Sequence, residues 1–331
     1  MKKIRIGQYG IGHNHGEEKM KSFRRFPELF EVVGVCEPDE KWRAARGALP
    51  GYAGLRFLTE EEFFSAGLDA ALVETDVPDL DRAAKKCLDH GLHIHMDKPG
   101  GEDIAEFTDV VNTARDKGLI LQMGYMYRYN PVIRYAIDLA KSGALGEIFE
   151  IDTQMSTAHP AAYREWLSRS FRCGTMYIFG CHLIDMIFQV LGTEPEDVVS
   201  FIKETLPQDV PLADNALAVL TYPHASCTVR TSSREVNGYG RRQLVICGSE
   251  GTVEVKPLEG PSTVSVSFKK DLPPTYKDTR TFLTGFPEQE GRYDEQAKDF
   301  YAYVRGEKEN PFDYDYEIAL QRATLLACGI R

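Results

Sequence analysis

The chain has 331 residues, 43% of them hydrophobic and 27% charged, the profile of an ordinary folded protein long enough for two domains of about 100–200 residues each. Its formal net charge of -11 excludes a protein built to grip a phosphate backbone, which needs a basic surface. Seven scattered cysteines without a Cys-x-x-Cys pair exclude a disulfide framework or a zinc knuckle, and no apolar span or leader pattern points to a membrane or an export route, so a reducing, cytoplasmic setting is expected.

Ile4 to Tyr9 reads as a strand. Gly10-Ile11-Gly12-His13-Asn14-His15-Gly16 follows it directly, ahead of a helical pattern with Met20, Phe23 and Phe26 on one face. A glycine turn between strand and helix brings backbone N–H groups and the positive helix end against a pyrophosphate. His15 stands where the third small residue of such a turn usually lies. The next strand, Glu31 to Cys36, ends in Glu37-Pro38-Asp39. A carboxylate there accepts a ribose 2′-hydroxyl and repels a 2′-phosphate, which favours NAD over NADP. The same acids could instead complement a helix N-terminus through Asp39 or Glu40.

Strand and helix then alternate through Asp69–Glu74, Leu80–His90, His93–Met96, Ile104–Lys117 and Leu119–Gly124, the pattern of a doubly wound parallel sheet. Thr75 and Asp76 end one strand, and Asp97-Lys98-Pro99 ends the next. Because Pro99 cannot continue a central strand, Lys98 is held at a carboxyl edge, where open α/β sheets bind ligands. A plain solvated turn is the competing reading.

In the second half Pro131 to Ser142 reads as a helix ended by Gly143, and Glu147 to Met155 as a long strand. His159 to Arg172, with Tyr163, Arg164, Trp166 and Arg169, is too irregular for a core strand and suits a hydroxylated ligand or an oligomer-contact loop. Gly174 to Leu191 reads as one apolar helix with His182, Asp185 and Gln189 on its polar stripe. His182 is there a buried histidine satisfied by Asp185 or a functional group. Alternation over Ala216–Tyr222, Ala225–Thr231 and Gln243–Cys247 predicts antiparallel strands, and Asp294–Val304 and Tyr316–Cys328 predict closing helices.

On these residues the chain resembles the Gfo/Idh/MocA oxidoreductases. The matching features are Gly10-Ile11-Gly12, Thr75, Asp97-Lys98-Pro99 for the family's Glu-Lys-Pro, and Gly124 to Pro131 with Tyr127 and Arg128. Ser142 to Ile148 and Gly180-Cys181-His182-Leu183-Ile184-Asp185 complete the set. The resemblance implies an α/β protein: a Rossmann domain over 1–124, then an α+β domain over 125–331 with an open, mainly antiparallel sheet, and a last helix that can return to the first domain. It implies NAD held by Gly10, Ile11, Gly12, His13, Asn14, Glu37, Thr75, Asp76, Lys98 and Pro99, and no metal. Lys98 and His182 are the implied catalytic pair. Tyr127, Arg128, His159, Trp166, Arg172 and Asp185 are the implied contacts to a sugar, inositol or related polyol, and a homodimer or homotetramer is the implied assembly. The chain departs from the family pattern at Ile178, where an Asp is usual, at Asp76-Val77 and Leu80, and at Arg172-Cys173-Gly174. The expected function is hydride transfer between a nicotinamide and a secondary alcohol or ketone. An NAD-dependent glycoside-cleaving enzyme and a cofactor-bound sensor without catalysis are the alternatives.

Overall fold

In a computed structural model that describes residues 2–170, 174–205, 211–271, 277–287 and 291–330, the short apolar runs of the first third pair in parallel. They are β1 (Ile4–Tyr9), β2 (Phe30–Cys36), β3 (Phe57–Leu58), β4 (Ala70–Val73), β5 (His93–Met96) and β6 (Leu121–Met123), in the order β3-β2-β1-β4-β5-β6. Helices connect them: α1 (Gly16–Arg24), α2 (Glu40–Arg46), α3 (Glu60–Ser65), α4 (Leu80–Asp89) and α5 (Ile104–Asp116). All four residues of β4 are buried, as expected of a central parallel strand covered on both faces. The strand order reverses between β1 and β4, which opens a crevice at their carboxyl ends.

The chain divides into two compact units, Met1–Met126 with Glu290–Ile318, and Tyr127–Gln289 with Ala319–Arg331. The first unit therefore takes back a late segment that the expected span of 125–331 assigned to the second domain. The cause is packing. Ala297, Phe300 and Tyr301 of α9 (Asp294–Val304) are buried in the same core as Ile6, Met20, Phe23 and Phe30, and Arg25 reaches Asp294 at 2.7 Å.

The second unit is built on β7 (Ile148–Ser156), β8 (Asp197–Lys203), β9 (Asn215–Thr221), β10 (Ser226–Ser232), β11 (Gln243–Gly248), β12 (Gly251–Lys256), β13 (Thr263–Phe268) and β14 (Thr281–Leu283). Their order is β14-β13-β12-β11-β7-β10-β9-β8; β7 and β10 run parallel, and the other neighbours are antiparallel. Alternate residues such as Ile151, Met155, Cys227, Val229, Ala218 and Leu220 point into the core. The helices α6 (Pro131–Lys141) and α8 (Cys181–Leu191) pack on the sheet, and α6 begins where the Asn130 side chain accepts the N–H of Val132 at 3.1 Å with Pro131 in the first turn.

Two local expectations change. The run after His159 forms a helix, α7 (Ala161–Ser170), whose described side chains include one buried residue, Leu167, so it carries no apolar stripe to read. The expected long helix is interrupted by a wide π-type turn over Met176–Gly180 ahead of α8. No described helix is long and apolar enough to cross a membrane.

Candidate active site

In the first unit β1 runs straight into the glycine turn. Gly10 has φ +86°, and a Cβ there would stand 2.5 Å from the backbone N of Thr75; a Cβ on Gly12 would stand 2.5 Å from the N of Asp76 and 3.1 Å from Trp42 Nε1. The end of β4 thus touches bare backbone at the end of β1, and only glycine keeps the gap closed. Two further bonds fix the turn: the Ile11 N–H donates to Glu37 Oε2 at 2.6 Å, and the His13 N–H to the Glu74 carbonyl at 2.9 Å. Glu37 also accepts the Asp39 N–H at 2.8 Å, while Asp39 itself caps α2 by accepting the Lys41 N–H at 2.8 Å. The helix-start reading therefore holds for Asp39, while Glu37 braces the glycine turn.

Beside this turn lies a cleft of about 350 Å³ lined by Tyr9, Glu37, Trp42, Thr75, Asp76 and Ala83, among others. Burial raises the carboxyl pKa of Glu37 and of Asp76, partly offset by the N–H groups each accepts. A side-chain-free turn at the crevice, the start of α1 behind it and an acid at the tip of β2 suit a dinucleotide: Gly10 to Asn14 would cradle its pyrophosphate, and Glu37 its adenosine ribose.

Beneath the turn is a buried ionic cluster that sequence reasoning missed. Lys19 of α1, with no exposed side-chain surface, reaches Asp97 Oδ2 at 2.6 Å and Glu74 Oε1 at 2.9 Å. His13 Nδ1 and His15 Nδ1 each lie 3.1 Å from Asp97 Oδ2. Burial alone would raise the Asp97 pKa, but His13, Lys19 and His15 outweigh it and hold the carboxyl well below its usual range. Glu74 goes the other way, raised well above its usual range by burial with Asp97 alongside, against the pull of Lys19. The two carboxyls that flank the one ammonium are thus pushed in opposite directions. His13, His15 and Asp97 offer donor atoms within 4.8 Å of one another, the spacing of a metal site, yet the Lys19 ammonium already supplies the cation there.

Asp97 Oδ1 accepts the backbone N–H of Lys98 at 2.7 Å, which ties the position of Lys98 to this cluster. Lys98 is 5% exposed, and its charge helps to depress the pKa of both His13 and His15, after burial as the main cause. The loop beyond it is held by Asp81, whose Oδ1 accepts the Gly101 N–H at 3.0 Å. Burial pushes the Asp81 carboxyl up to about 7 against that N–H, with Glu106 and Asp103 adding to the rise. A Cβ on Gly101 would fall 1.8 Å from Asp81 Oδ2, so the contact requires glycine.

In the second unit His182 is 4% exposed on α8. The Tyr127 ring meets it at a centroid distance of 4.9 Å and 85° between planes. The Tyr127 hydroxyl bonds Glu259, and Arg242 binds the same carboxylate at 2.6 Å and Thr157 Oγ1 at 2.6 Å. Arg242 also lies over the rings of Tyr239 and Phe179, at 4.5 and 5.6 Å. His159 stacks between Tyr163 at 4.4 Å and Phe179 at 5.4 Å, and Trp166 follows at 5.2 Å from Tyr163. Burial, then Arg242 and Arg164, bring the His159 imidazole down to about 4, so it is neutral at pH 7.

Tyr127, His159 and Trp166 thus join a cluster of aromatic and polar groups in this unit. Arg128 and Asp185 form a buried pair, Nη2 to Oδ1 at 2.8 Å, and Gln189 donates to Asp185 at 2.9 Å. Arg172 lies outside the described residues. Arg242 and Glu259 were not foreseen; they sit 17 residues apart on either side of a hairpin, and no spacing rule marks such a pair.

Residues 4–125 match the family model described as "Oxidoreductase family, NAD-binding Rossmann fold", and residues 133–254 the one described as "GFO/IDH/MocA C-terminal domain". Among curated proteins the chain is similar to trans-1,2-dihydrobenzene-1,2-diol dehydrogenase of Mus musculus, 24% identical over 65% of this chain and 63% of that protein. It is similar to rhizopine catabolism protein MocA of Rhizobium meliloti as well, 25% identical over 73% of each. Across the first three such relatives the match spans 58–65% of their length. Among solved structures, aldose-aldose oxidoreductase from Caulobacter crescentus complexed with glycerol superposes with a TM-score of 0.82, covering 99% of this chain and 98% of that one at 17% identity, which speaks to the fold.

Proposed function

The chain belongs to the GFO/IDH/MocA oxidoreductase family, and from that premise we propose that it transfers hydride between NAD and a secondary alcohol or ketone of a sugar, inositol or related polyol. The observation that carries this reading is the glycine turn pinned by Glu37 and Glu74, with Lys98 fixed through Asp97 at the end of β5. NAD, when bound, supplies the hydride acceptor or donor at C4 of its nicotinamide. Glu37 favours NAD over NADP, since its carboxylate would repel a 2′-phosphate.

Lys98 hydrogen-bonds the reacting oxygen and stabilises the negative charge that develops on it. His182 takes the hydroxyl proton during oxidation and returns it during reduction. The His159, Tyr163 and Trp166 rings offer flat apolar surface to the C–H face of a polyol, beside polar groups for its hydroxyls. A homodimer or homotetramer is supported by the exposed Val199 (42%) and Phe201 (55%), which share one face of the edge strand β8. A cytoplasmic setting completes the proposal.

The test is a screen of cyclitols, aldoses, uronates and sugar phosphates for NADH fluorescence, repeated with Lys98→Ala and His182→Asn. One compound class should give turnover that both variants lose by about a thousandfold while NADH still binds. Turnover in Lys98→Ala within a few fold of the parent would sink these roles. Ile178, 5% exposed where the family usually has Asp, favours a second reading as a cofactor-bound sensor, which would bind NADH and turn over nothing in the screen. Glycoside cleavage without net NADH would mark the glycoside-cleaving alternative.

A further inference from the structure

His182, Tyr127, Glu259 and Arg242 come from four separate segments of the second unit: α8, the turn before α6, the loop after β12 and the loop before β11. All four are 9% exposed or less. The Tyr127 ring stands at 85° to the His182 ring, an edge-to-face contact whose preferred geometry ties the plane of one ring to that of the other. A tyrosine ring alone still turns about two side-chain torsions. Here its hydroxyl donates to Glu259 Oε1, and Arg242 Nη1 donates to the same oxygen at 2.6 Å, 3.5 Å from the hydroxyl, while Arg242 is anchored on Thr157 Oγ1 at 2.6 Å and the Ser156 carbonyl at 3.5 Å. The tether runs from the end of β7 to the imidazole with no long flexible link.

The charges along it cancel. Glu259 is matched by Arg242, and the other acid near this stretch of α8, Asp185, is matched by Arg128. The phenol therefore supplies orientation without an uncompensated carboxylate behind it. Its bond to a charged acceptor is the stronger kind of hydrogen bond, able to hold a ring in place.

We infer that Tyr127, fixed by Glu259 and Arg242, is the positioning residue of His182. The inference rests on the reading of His182 as the group that exchanges the hydroxyl proton. It goes further by naming what keeps the ring in one orientation. A displacement of reacting groups by about 1 Å can cost two orders of magnitude in rate, so a loosened ring should be felt in turnover before binding.

Tyr127→Phe keeps the ring and removes the tether; Glu259→Gln keeps the volume and weakens it. In the full-length, NAD-loaded protein the His182 Cε1–H resonance, assigned by its loss in His182→Asn, should move and broaden in both variants. Turnover should fall about 10- to 100-fold in Tyr127→Phe, with KM and the NADH affinity within twofold of the parent. An unmoved His182 resonance in both variants overturns the inference, whatever turnover does. A shifted resonance together with full activity in His182→Asn would keep the positioning contact and sink the acid–base role, so the two failures are separable.

Discussion

The backbone N–H of Ile11 and the carboxylate of Glu37 meet at 2.6 Å, and this one bond joins the glycine turn to the acid at the tip of β2. Shape and selectivity are coupled through it. Glu37→Ala should loosen the turn and remove the charge that opposes a 2′-phosphate. A hydrogen bond to a charged group is worth about 1.5–3 kcal/mol, so NADH binding should weaken by roughly 10- to 100-fold. NADPH should lose less, which narrows the preference between the two. Fluorescence titration with each nucleotide measures both effects.

Gly12→Ala probes the same cradle from the other side. Its new methyl group would stand 2.5 Å from the Asp76 backbone, which has no flexible end to yield. Overpacking of this kind costs about 1–3 kcal/mol, so NADH affinity should fall by roughly 5- to 150-fold while circular dichroism stays unchanged.

Lys19 is the sole cation that Asp97 and Glu74 share by direct ion pair among the described residues. Lys19→Met leaves a buried carboxylate uncompensated and should cost about 3–5 kcal/mol, read as a lower midpoint in urea. The Asp97 pKa is depressed in the folded parent, so the stability this carboxylate contributes is present above its unfolded value and lost as pH falls through the folded one. In Lys19→Met that contribution is gone, so the deficit relative to the parent should persist down to roughly pH 4 and shrink only below it. Adding Asp97→Asn should recover part of the loss at pH 7.

Asp81 has the opposite sign. Its folded carboxyl is pushed up to about 7 from 3.8, so the ionised form is a cost to the folded state that grows as pH rises between those values and is constant above them. Asp81→Asn should gain on the parent across that window by up to about 4 kcal/mol, at about 1.4 kcal/mol per pH unit. Denaturant midpoints at pH 5 and pH 8 give the comparison; equal differences at the two pH values would contradict it.

The first sheet was legible because its strands are short buried runs set between helices with clear apolar faces, and because Gly10, Gly12 and Glu37 fall where strand ends require them. The region from 40 to 65 was not read, since α2 buries no residue and β3 has two. The π-type turn before His182 escaped for another reason: Met176, Tyr177 and Ile178 are buried in it just as they would be in a regular helix, so the pattern is the same. Arg128 and Asp185 lie 57 positions apart in the chain, and the fold brings them onto each other in a pairing that neither motif announces. Lys19 and Asp97 likewise meet only through the tertiary fold, for periodicity reports a face and not a partner.

Because Ala297, Phe300 and Tyr301 complete the core around Phe23 and Phe30, the first unit is interrupted by Tyr127–Gln289, the larger part of the other one. A nascent chain that has released β1 to β6 still lacks the helix that covers those aromatic side chains. The nucleotide crevice therefore matures late in synthesis, after the eight-stranded sheet of the second unit has had time to assemble, and a ribosome stalled before residue 294 would present an unsealed apolar face to chaperones.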